Sequence, residues 1–345
     1  MRKQLLFFSL IICLAATAQD KKEFSVFLRK EDKRVDILWG KQLITSYRYD
    51  DSVRKPFLFP VNSPNGVTVT RGWPLEPRPG ERTDHPHHTG IWMNYESVNG
   101  LDFWNNSTAI APEKRHLYGT IRHDSIVFTD RKKNPALLTV HASWLHPDGH
   151  ALLIEITDYF FGIHKDVLVI ERRSKLTALK EDVVFKDVKD GFFAIRVARE
   201  LEMPSQQADV FTDAHGNKTN VPKMINNEGV TGKYISSEKK EGDSVWGTKA
   251  TWVMLQGKKD NRDITIGIAD HPSNPGYPSY WHARGYGLFA VNPFGKKVFS
   301  NGKEEFNFTL KADSSAQFRY ALIVAEQKWP PQQMNRYAEQ FAQGR

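Results

Sequence analysis

Apolar and polar residues alternate along most of the chain, in short segments that Gly, Pro, Asn and Asp separate from one another. An alternation with a period of two residues is typical of antiparallel strands that bury one face. The pattern predicts strands at 24–28, 34–39, 66–70, 90–96, 124–130, 136–145, 151–161, 166–179, 182–187, 191–203, 250–257, 263–270, 287–293, 304–312 and 316–326. Because these strands follow one another without helical periodicity between them, the sequence predicts an all-β protein.

The C-terminal end carries the one helical pattern. In the segment 329–343 a proline stands at a first helical turn, and apolar residues then recur at spacings of three and four. Residues 204–249 are rich in Asn, Lys, Gly and Ser and predict long loops rather than an interdomain linker. We therefore expect a single domain at 19–345, a large two-sheet antiparallel β-sandwich with one short C-terminal helix.

The N-terminal residues 1–18 have the layout of a secretory signal peptide, with a basic start, an apolar run and a small-residue cleavage site. The apolar run, at 5–14, is shorter than the about 20 residues that a membrane span requires. We expect a periplasmic or secreted protein without membrane insertion. Cys13 is the only cysteine and falls in this segment. The mature chain would then have no thiol for disulfides, nucleophilic catalysis or metal binding.

The charge and the aromatic content narrow the class of partner. The formal net charge is +8, but the basic residues are scattered among acidic ones. No basic patch with aromatic spacing is present, so we expect no nucleic-acid partner. Aromatic residues make up 12% of the chain and include nine tryptophans. Such rings fill β cores, and they also pack against the apolar faces of sugars, which makes a small-molecule carbohydrate the expected partner.

A histidine-rich segment, DHPHHTGIWMNYE at 84–96, is the first candidate site. Pro86 favours an extended His85, which would point His85 and His87 one way and His88 the other. Imidazoles titrate near neutral pH and can serve as general acids and bases. Alternatively, His85 and His87 could ligate a divalent metal together with a carboxylate. The histidines could instead have a purely structural role, hydrogen-bonding loop carbonyls and packing on aromatic rings.

The segment 270–293 repeats the same features. It contains a second Asp-His-Pro triplet at 270–272, and then a Trp-His-Ala-Arg sequence at 281–284 that enters a strand pattern. We expect both proline-rich loops to meet at one rim of the sandwich and to line a single pocket. The alternative is that the two loops pack on each other without forming a site.

A third candidate lies in GFFAIRVARELEM at 191–203. If this segment is one continuous strand, Arg196 and Glu200 share a face and could bind a polar ligand. They could equally form a surface ion pair worth less than about 1 kcal/mol.

Five motifs together resemble a family of secreted bacterial proteins, the methane-oxygenase family PmoA. The motifs are RGWPLEP (71–77), DHPHHTGIWMNYESVNGLDFWNN (84–106), GFFAIRVARELEMP (191–204), WGTKATWVMLQG (246–257) and YWHARGYGLFAVNPFG (280–295). The resemblance implies a β-supersandwich similar to galactose mutarotase. Proteins with that fold hold sugars on a concave sheet face by His, Arg, Glu and Trp side chains.

On this basis we expect a secreted enzyme that acts on a saccharide or keto-sugar, by histidine acid–base chemistry or with metal assistance. The expected catalytic residues are His87, His88, His282 and Glu200. The expected substrate-binding residues are Arg71, Trp92, Glu96, Trp104, Arg196, His271, Trp281, Arg284 and Asn292. A divalent metal, if one is used, is expected on His85 and His87.

Two other functions remain open at this stage. The first is a non-catalytic carbohydrate-binding protein on the same fold, in which the tryptophans and arginines bind the ligand. The second is a metal-dependent oxygenase, as the name of the resembled family suggests.

Overall fold

The computed structural model describes residues 22–50, 53–130 and 133–344, so the predicted signal peptide and Cys13 lie outside the described residues. Within these ranges two eight-stranded antiparallel sheets form the two layers of a β-sandwich. The predicted fold class is confirmed. The predicted C-terminal helix is also observed, and it spans Pro331–Ala342.

The strands follow the chain in short, closely spaced segments. They are β1 (Phe24–Arg29), β2 (Arg34–Trp39), β3 (Gln42–Arg48), β4 (Phe57–Val61), β5 (Ile91–Tyr95), β6 (Thr120–Asp130), β7 (Ala136–Leu145), β8 (Ala151–His164), β9 (Val167–Ala178), β10 (Val183–Phe185), β11 (Gly191–Arg196), β12 (Lys233–Ser236), β13 (Trp252–Lys259), β14 (Arg262–Asp270), β15 (Tyr280–Ala283), β16 (Leu288–Asn292), β17 (Phe308–Leu310) and β18 (Ser315–Ala325).

The first sheet has the order β1-β2-β3-β4-β5-β11-β16-β15, and the second has the order β12-β13-β14-β18-β9-β8-β7-β6. A separate pair joins β10 to β17. The helices are α1 (Lys296–Phe299) and α2 (Pro331–Ala342), and 3₁₀ helices occupy Pro112–Leu117, Arg199–Leu201 and Gly242–Val245.

The main apolar core lies between the two sheets. Strand register in the first sheet aligns Met93, Phe193, Val291 and Trp281 in one row, and all four side chains belong to this core. Full burial of a side chain of this size stabilises the fold by about 1.5–3 kcal/mol. The neighbouring row that contains Trp92, Ala194 and Ala290 points away from the core, because side chains alternate along a strand.

Each sheet also buries part of its outer face. On the second sheet, Met334 and Phe341 of α2 pack in a separate cluster with Met254 and Ile323. On the first sheet, Trp92, Ala194 and Ala290 lie in one outward row and belong to a cluster of their own. The histidine-rich loop covers the cluster that contains Trp92, and so the first sheet fixes the position of the loop.

Several strand predictions match the observed bounds, and those that fail involve short or interrupted segments. The predicted strands 34–39 and 136–145 are observed as predicted. The segment 66–70 forms isolated bridges instead of a strand. The predicted strand 191–203 ends at Arg196, because the chain turns into the 3₁₀ helix Arg199–Leu201. The strands β3, β4, β12 and β15 were not predicted.

Candidate functional site

The histidine-rich loop forms a tight turn and not the extended segment that Pro86 predicted. The backbone N–H of His88 donates to the carbonyl of His85 at 3.0 Å, and His85 has a φ of 41°. Positive φ is uncommon for a residue other than glycine, and it persists only where the surroundings impose it. The local preference of the residue before a proline is thus overridden by contacts from elsewhere in the fold.

Arg71 supplies most of those contacts. Its guanidinium is fully buried, and it donates to the backbone carbonyls of Asp84, His85 and His88 at 3.1, 2.9 and 3.2 Å. One planar fork with five donors can satisfy several carbonyls of a single turn at once. Arg71 therefore has a positioning role in this structure, since it holds the backbone that carries the imidazoles.

Asp84 joins two buried arginines to the turn. Its Oδ1 accepts from Arg71 at 2.5 Å and from Arg196 at 2.8 Å, and its Oδ2 lies 2.6 Å from Nδ1 of His85. Burial raises the pKa of Asp84, but the charge of Arg196, the hydrogen bond to His85 and the charge of Arg71 outweigh burial. The pKa of this carboxyl group therefore lies well below its usual range, and Asp84 stays ionised.

The turn brings three imidazoles together, whereas an extended segment would have pointed His88 away from His85 and His87. The ring centroids of His85, His87 and His88 lie 4.3–5.6 Å apart, and His85 and His88 are stacked in parallel. His88 also stacks on Trp92 at 5.3 Å. Arg196 donates to Nδ1 of His88 at 3.2 Å, so the proton of the neutral ring lies on Nε2.

His87 and His88 are both held in the neutral form. Burial lowers the pKa of His87 well below 6.5, and the nearby charge of Lys55 lowers it further. The pKa of His88 is lowered by burial and by His87. The Nε2 atoms of both rings are buried without a hydrogen-bond partner. An unpaired buried polar atom costs roughly 1–3 kcal/mol, and these two atoms lie at the imidazole cluster.

A cavity of about 180 Å³ opens beside His87. Its polar wall contains Arg54, Lys55, His87, Thr89, Asn106, Ser107 and Thr108, and apolar side chains complete it. The site therefore combines one imidazole, one amine, one guanidinium, several hydroxyls and an amide. Such a mixture of a few polar groups with apolar walls is typical of a small-molecule site.

Lys55 is the functional candidate that sequence reasoning missed. Its side chain is buried, and Nζ donates to the carbonyl of His87 at 2.7 Å and lies 5.4 Å from the ring centroid of Trp92. Burial lowers the pKa of Lys55 to about 7, although Asp102 raises it. The available signal was the sequence KPFLFP at 55–60, which places a lysine at the entrance of an almost wholly apolar strand.

The donor set at the turn does not match the metal site predicted on His85 and His87. The carboxylate of Asp84 is already occupied by two arginines and His85. Among the described residues, one group of three brings its ligand atoms within 4.8 Å of one another, and it is His146, Asp148 and His150. That group is on the exposed hairpin between β7 and β8, in the second sheet.

The two proline-rich loops meet, but the histidines of the second loop take no part in this contact. Tyr286 stacks on His85, with the ring centroids 5.1 Å apart. Arg284 lies over the rings of Tyr286 and Trp246, at 5.8 and 5.5 Å. His282 contacts Trp246 and an acidic neighbour, Asp190, whose Oδ1 lies 3.2 Å from Nδ1 of His282. His282 thus lies on the same outer face as the turn but outside the imidazole cluster.

Three residues of the second loop that were predicted to bind a ligand have structural roles instead. Trp281 belongs to the core between the sheets, because strand register places it opposite Val291. His271 packs its ring against Phe341 of α2 at 5.1 Å, on the second sheet. Asn292 is fully buried and uses its amide on four backbone groups.

The predicted carboxylates also lie away from the imidazoles. Glu200 is in a 3₁₀ helix and pairs with Lys259 at 2.6 Å, since the strand that would have aligned it with Arg196 has already ended. Glu96 accepts from the backbone N–H of Asp190 at 3.1 Å. The carboxylates next to Arg196 are instead those of Asp84, at 2.8 Å, and Glu202, at 3.9 Å, and the alternation pattern indicated neither.

Trp92 and Trp104 were predicted to be sugar-stacking platforms, but both rings are buried. Their exposed fractions are 0% and 1%, and His88 contacts both rings from above. They support the imidazole cluster and offer no free face to a ligand. The more exposed aromatic ring on this side is Trp246, at 37% exposure.

Substituting Gly90 by alanine is expected to destabilise the loop more than the same change at Gly100. Both glycines have positive φ, 57° and 82°. A Cβ at Gly90 would lie 2.0 Å from the carbonyl oxygen of Leu58, whereas a Cβ at Gly100 would meet nothing within 4 Å. We expect Gly100→Ala to cost about 1 kcal/mol and Gly90→Ala about 1–3 kcal/mol more, measured by urea unfolding. Equal losses in the two variants would contradict this interpretation.

Comparison with known proteins assigns the family without a function. The chain belongs to a family of unknown function, DUF6807, whose sequence model matches residues 34–339. None of the curated proteins compared with the chain matches it. The matched family's description names no activity, so the methane-oxygenase resemblance stays a prediction.

Two solved structures match this chain at low similarity. One is the galactosidase domain of the alpha-galactosidase-sucrose kinase AgaSK, with 11% identity and a TM-score of 0.40, covering 88% of this chain and 42% of that chain. The other is the Slr1438 protein from Synechocystis sp. PCC 6803, with 11% identity and a TM-score of 0.31, covering 88% and 96%. The chain spans less than half of the galactosidase structure, and similarities at this level carry no argument about function.

Among the described residues, no helix combines the length and the apolar character that crossing a membrane requires.

Proposed function

We propose that the chain is a secreted enzyme that acts on a small saccharide or keto-sugar by acid–base catalysis, with His87 as the general base. The observation that carries the proposal is the neutral imidazole of His87 in the wall of a cavity that hydroxyl and amide groups also line. The neutral form of an imidazole has the free lone pair that a general base requires. Secretion is supported by the signal-peptide pattern of residues 1–18.

The cavity limits the size of the substrate. Its volume of about 180 Å³ is below the roughly 300–1,000 Å³ of sites for drug-sized ligands. One sugar ring, or a short hydroxy-aldehyde or hydroxy-ketone, is the size of molecule that fits such a space. The hydroxyls of Thr89, Ser107 and Thr108 would match the hydroxyls of such a ligand.

Deuterium exchange is expected to reveal the proton transfer directly. The protein is incubated in D₂O with a panel of aldoses, ketoses and keto-glycosides, and NMR follows the C–H signal next to the carbonyl. A general base that removes this proton replaces it with deuterium even when no net product accumulates. We expect exchange or conversion for at least one panel member, and none with heat-denatured protein.

The opposite result has a definite meaning. If a sugar binds in a calorimetric titration but undergoes neither exchange nor conversion, the enzyme proposal fails and a binding protein takes its place. One observation favours that second candidate: Trp246 is partly exposed beside Arg284 and His282, as in a surface that stacks on a sugar ring. In that case Trp246→Ala, and not a change at His87, would abolish the calorimetric signal.

A further inference from the structure

We propose that Lys55 is a nucleophile that binds an aldehyde or ketone substrate as an imine, in the cavity that it shares with His87. The inference rests on the proposed function, because it takes the same cavity as the substrate site. It narrows the substrate class to molecules with a free carbonyl carbon, such as a keto-sugar or the open-chain form of a sugar.

The surroundings of Lys55 favour an uncharged amine. Its side chain is 4% exposed, and one backbone carbonyl, that of His87, accepts from Nζ at 2.7 Å. Among the described residues no carboxylate forms an ion pair with this amine. An ammonium group has three protons to satisfy, so its charge is poorly compensated here. Burial accordingly lowers the pKa of Lys55 to about 7, and much of the amine carries a free lone pair at neutral pH.

A comparison with Lys259 separates burial from reactivity. Lys259 is also buried, with an exposed fraction of 9%. Its Nζ is 2.6 Å from the carboxylate of Glu200, which keeps the ammonium form paired. Two buried lysines of one chain therefore have opposite electrostatic environments, and Lys55 is the one that also lines a cavity.

The reaction balances without an oxidant or a reductant. The lone pair of Nζ attacks the carbonyl carbon, the C–N bond forms, and the carbonyl oxygen takes up a proton while the nitrogen loses one. The hydroxyl oxygen then takes up a second proton from solvent, the C–O bond breaks as the nitrogen lone pair forms the C=N bond, and water leaves. The product is a protonated imine, and hydrolysis returns the amine and the carbonyl compound. His87 lines the same cavity and is the nearby group that can transfer these protons.

Reductive trapping tests the inference on the wild-type protein. The full chain is treated at pH 7 with glycolaldehyde and sodium cyanoborohydride, and peptide mass spectrometry measures the labelling rate of each lysine. An ordinary lysine has a pKa of about 10.4 and is almost wholly protonated at pH 7. We expect Lys55 to be labelled about 100-fold faster than Lys259, with a rate that reaches half of its maximum near pH 7. Labelling of Lys55 no faster than that of Lys259, or labelling that rises only above pH 9, would overturn the inference.

The variant Lys55→Arg distinguishes this inference from the proposed function. Arginine has a side chain of similar length but is not a nucleophile toward carbonyls. We expect it to abolish trapping at this position and turnover of carbonyl substrates, with an unchanged fold by circular dichroism. If the variant still turns over the panel substrates, the imine is wrong and the proposed function stands. If Lys55 is trapped but no panel substrate reacts, the imine stands and the proposed function fails.

Discussion

Replacing Asp84 with asparagine is expected to lower the free energy of unfolding by about 3–5 kcal/mol. The carboxylate is the shared partner of Arg71 and Arg196, whose guanidinium groups are both fully buried. Removing its charge leaves two buried cations with weaker compensation, which is the condition under which breaking a buried ion pair is strongly destabilising. Urea unfolding followed by tryptophan fluorescence measures the difference.

The pH dependence of this effect follows from the sign of the pKa shift. The folded-state pKa of Asp84 is depressed, so its contribution to stability is complete above the unfolded value of about 3.9 and declines as the pH falls below it. The gap between wild type and Asp84→Asn should therefore be the same at pH 7 and pH 5. Asp182→Asn is the matched control, because its partner Lys311 is exposed, and it should cost less than about 1 kcal/mol. A similar loss in both variants would show that the buried network contributes no more than a surface pair.

Replacing His87 with glutamine is expected to lower kcat by roughly 10²–10⁴-fold, the usual contribution of a general base. Glutamine keeps a polar side chain of similar length but accepts no proton at neutral pH. KM should change only slightly, since the change removes an interaction that matters in the transition state and leaves the cavity polar. The measurement is steady-state turnover of whichever sugar undergoes deuterium exchange with the wild type.

His116→Gln provides the matched control for His87. His116 is exposed on the 3₁₀ helix Pro112–Leu117, where its Nδ1 lies 2.8 Å from the carbonyl oxygen of Glu113. The same substitution there should leave kcat within about twofold of wild type, because surface changes away from a site have small effects. Equal kcat values for the two variants and the wild type would remove His87 from the mechanism.

The sequence was informative about the histidine loop and misleading about its conformation. The cluster at 84–88 could be recognised from residue types alone, and the structure brings its three rings together. Pro86 predicted an extended backbone. Arg71, which lies 13 to 17 positions earlier, instead donates hydrogen bonds to three carbonyls of the loop and holds it as a turn. A local rule has no access to such a partner.

The residues that sequence reasoning misplaced share a physical cause. Trp281 and His282 are neighbours in one strand, and strand register sends the first into the core and the second to the outer face. Glu200 lies away from the predicted site because its strand ends four residues earlier, at Arg196. In each case a shift of one residue, or the end of one strand, decides which face a side chain occupies.

The spacing of apolar and polar residues by itself determined that this protein is a two-sheet antiparallel sandwich with a C-terminal helix, because periodicity is a local property of the chain. Tertiary structure alone decided that Lys55 lies beside His87, and that burial moves the pKa of both groups. These two residues are 32 positions apart, and burial of the amine lowers its pKa only because the fold brings the two segments together.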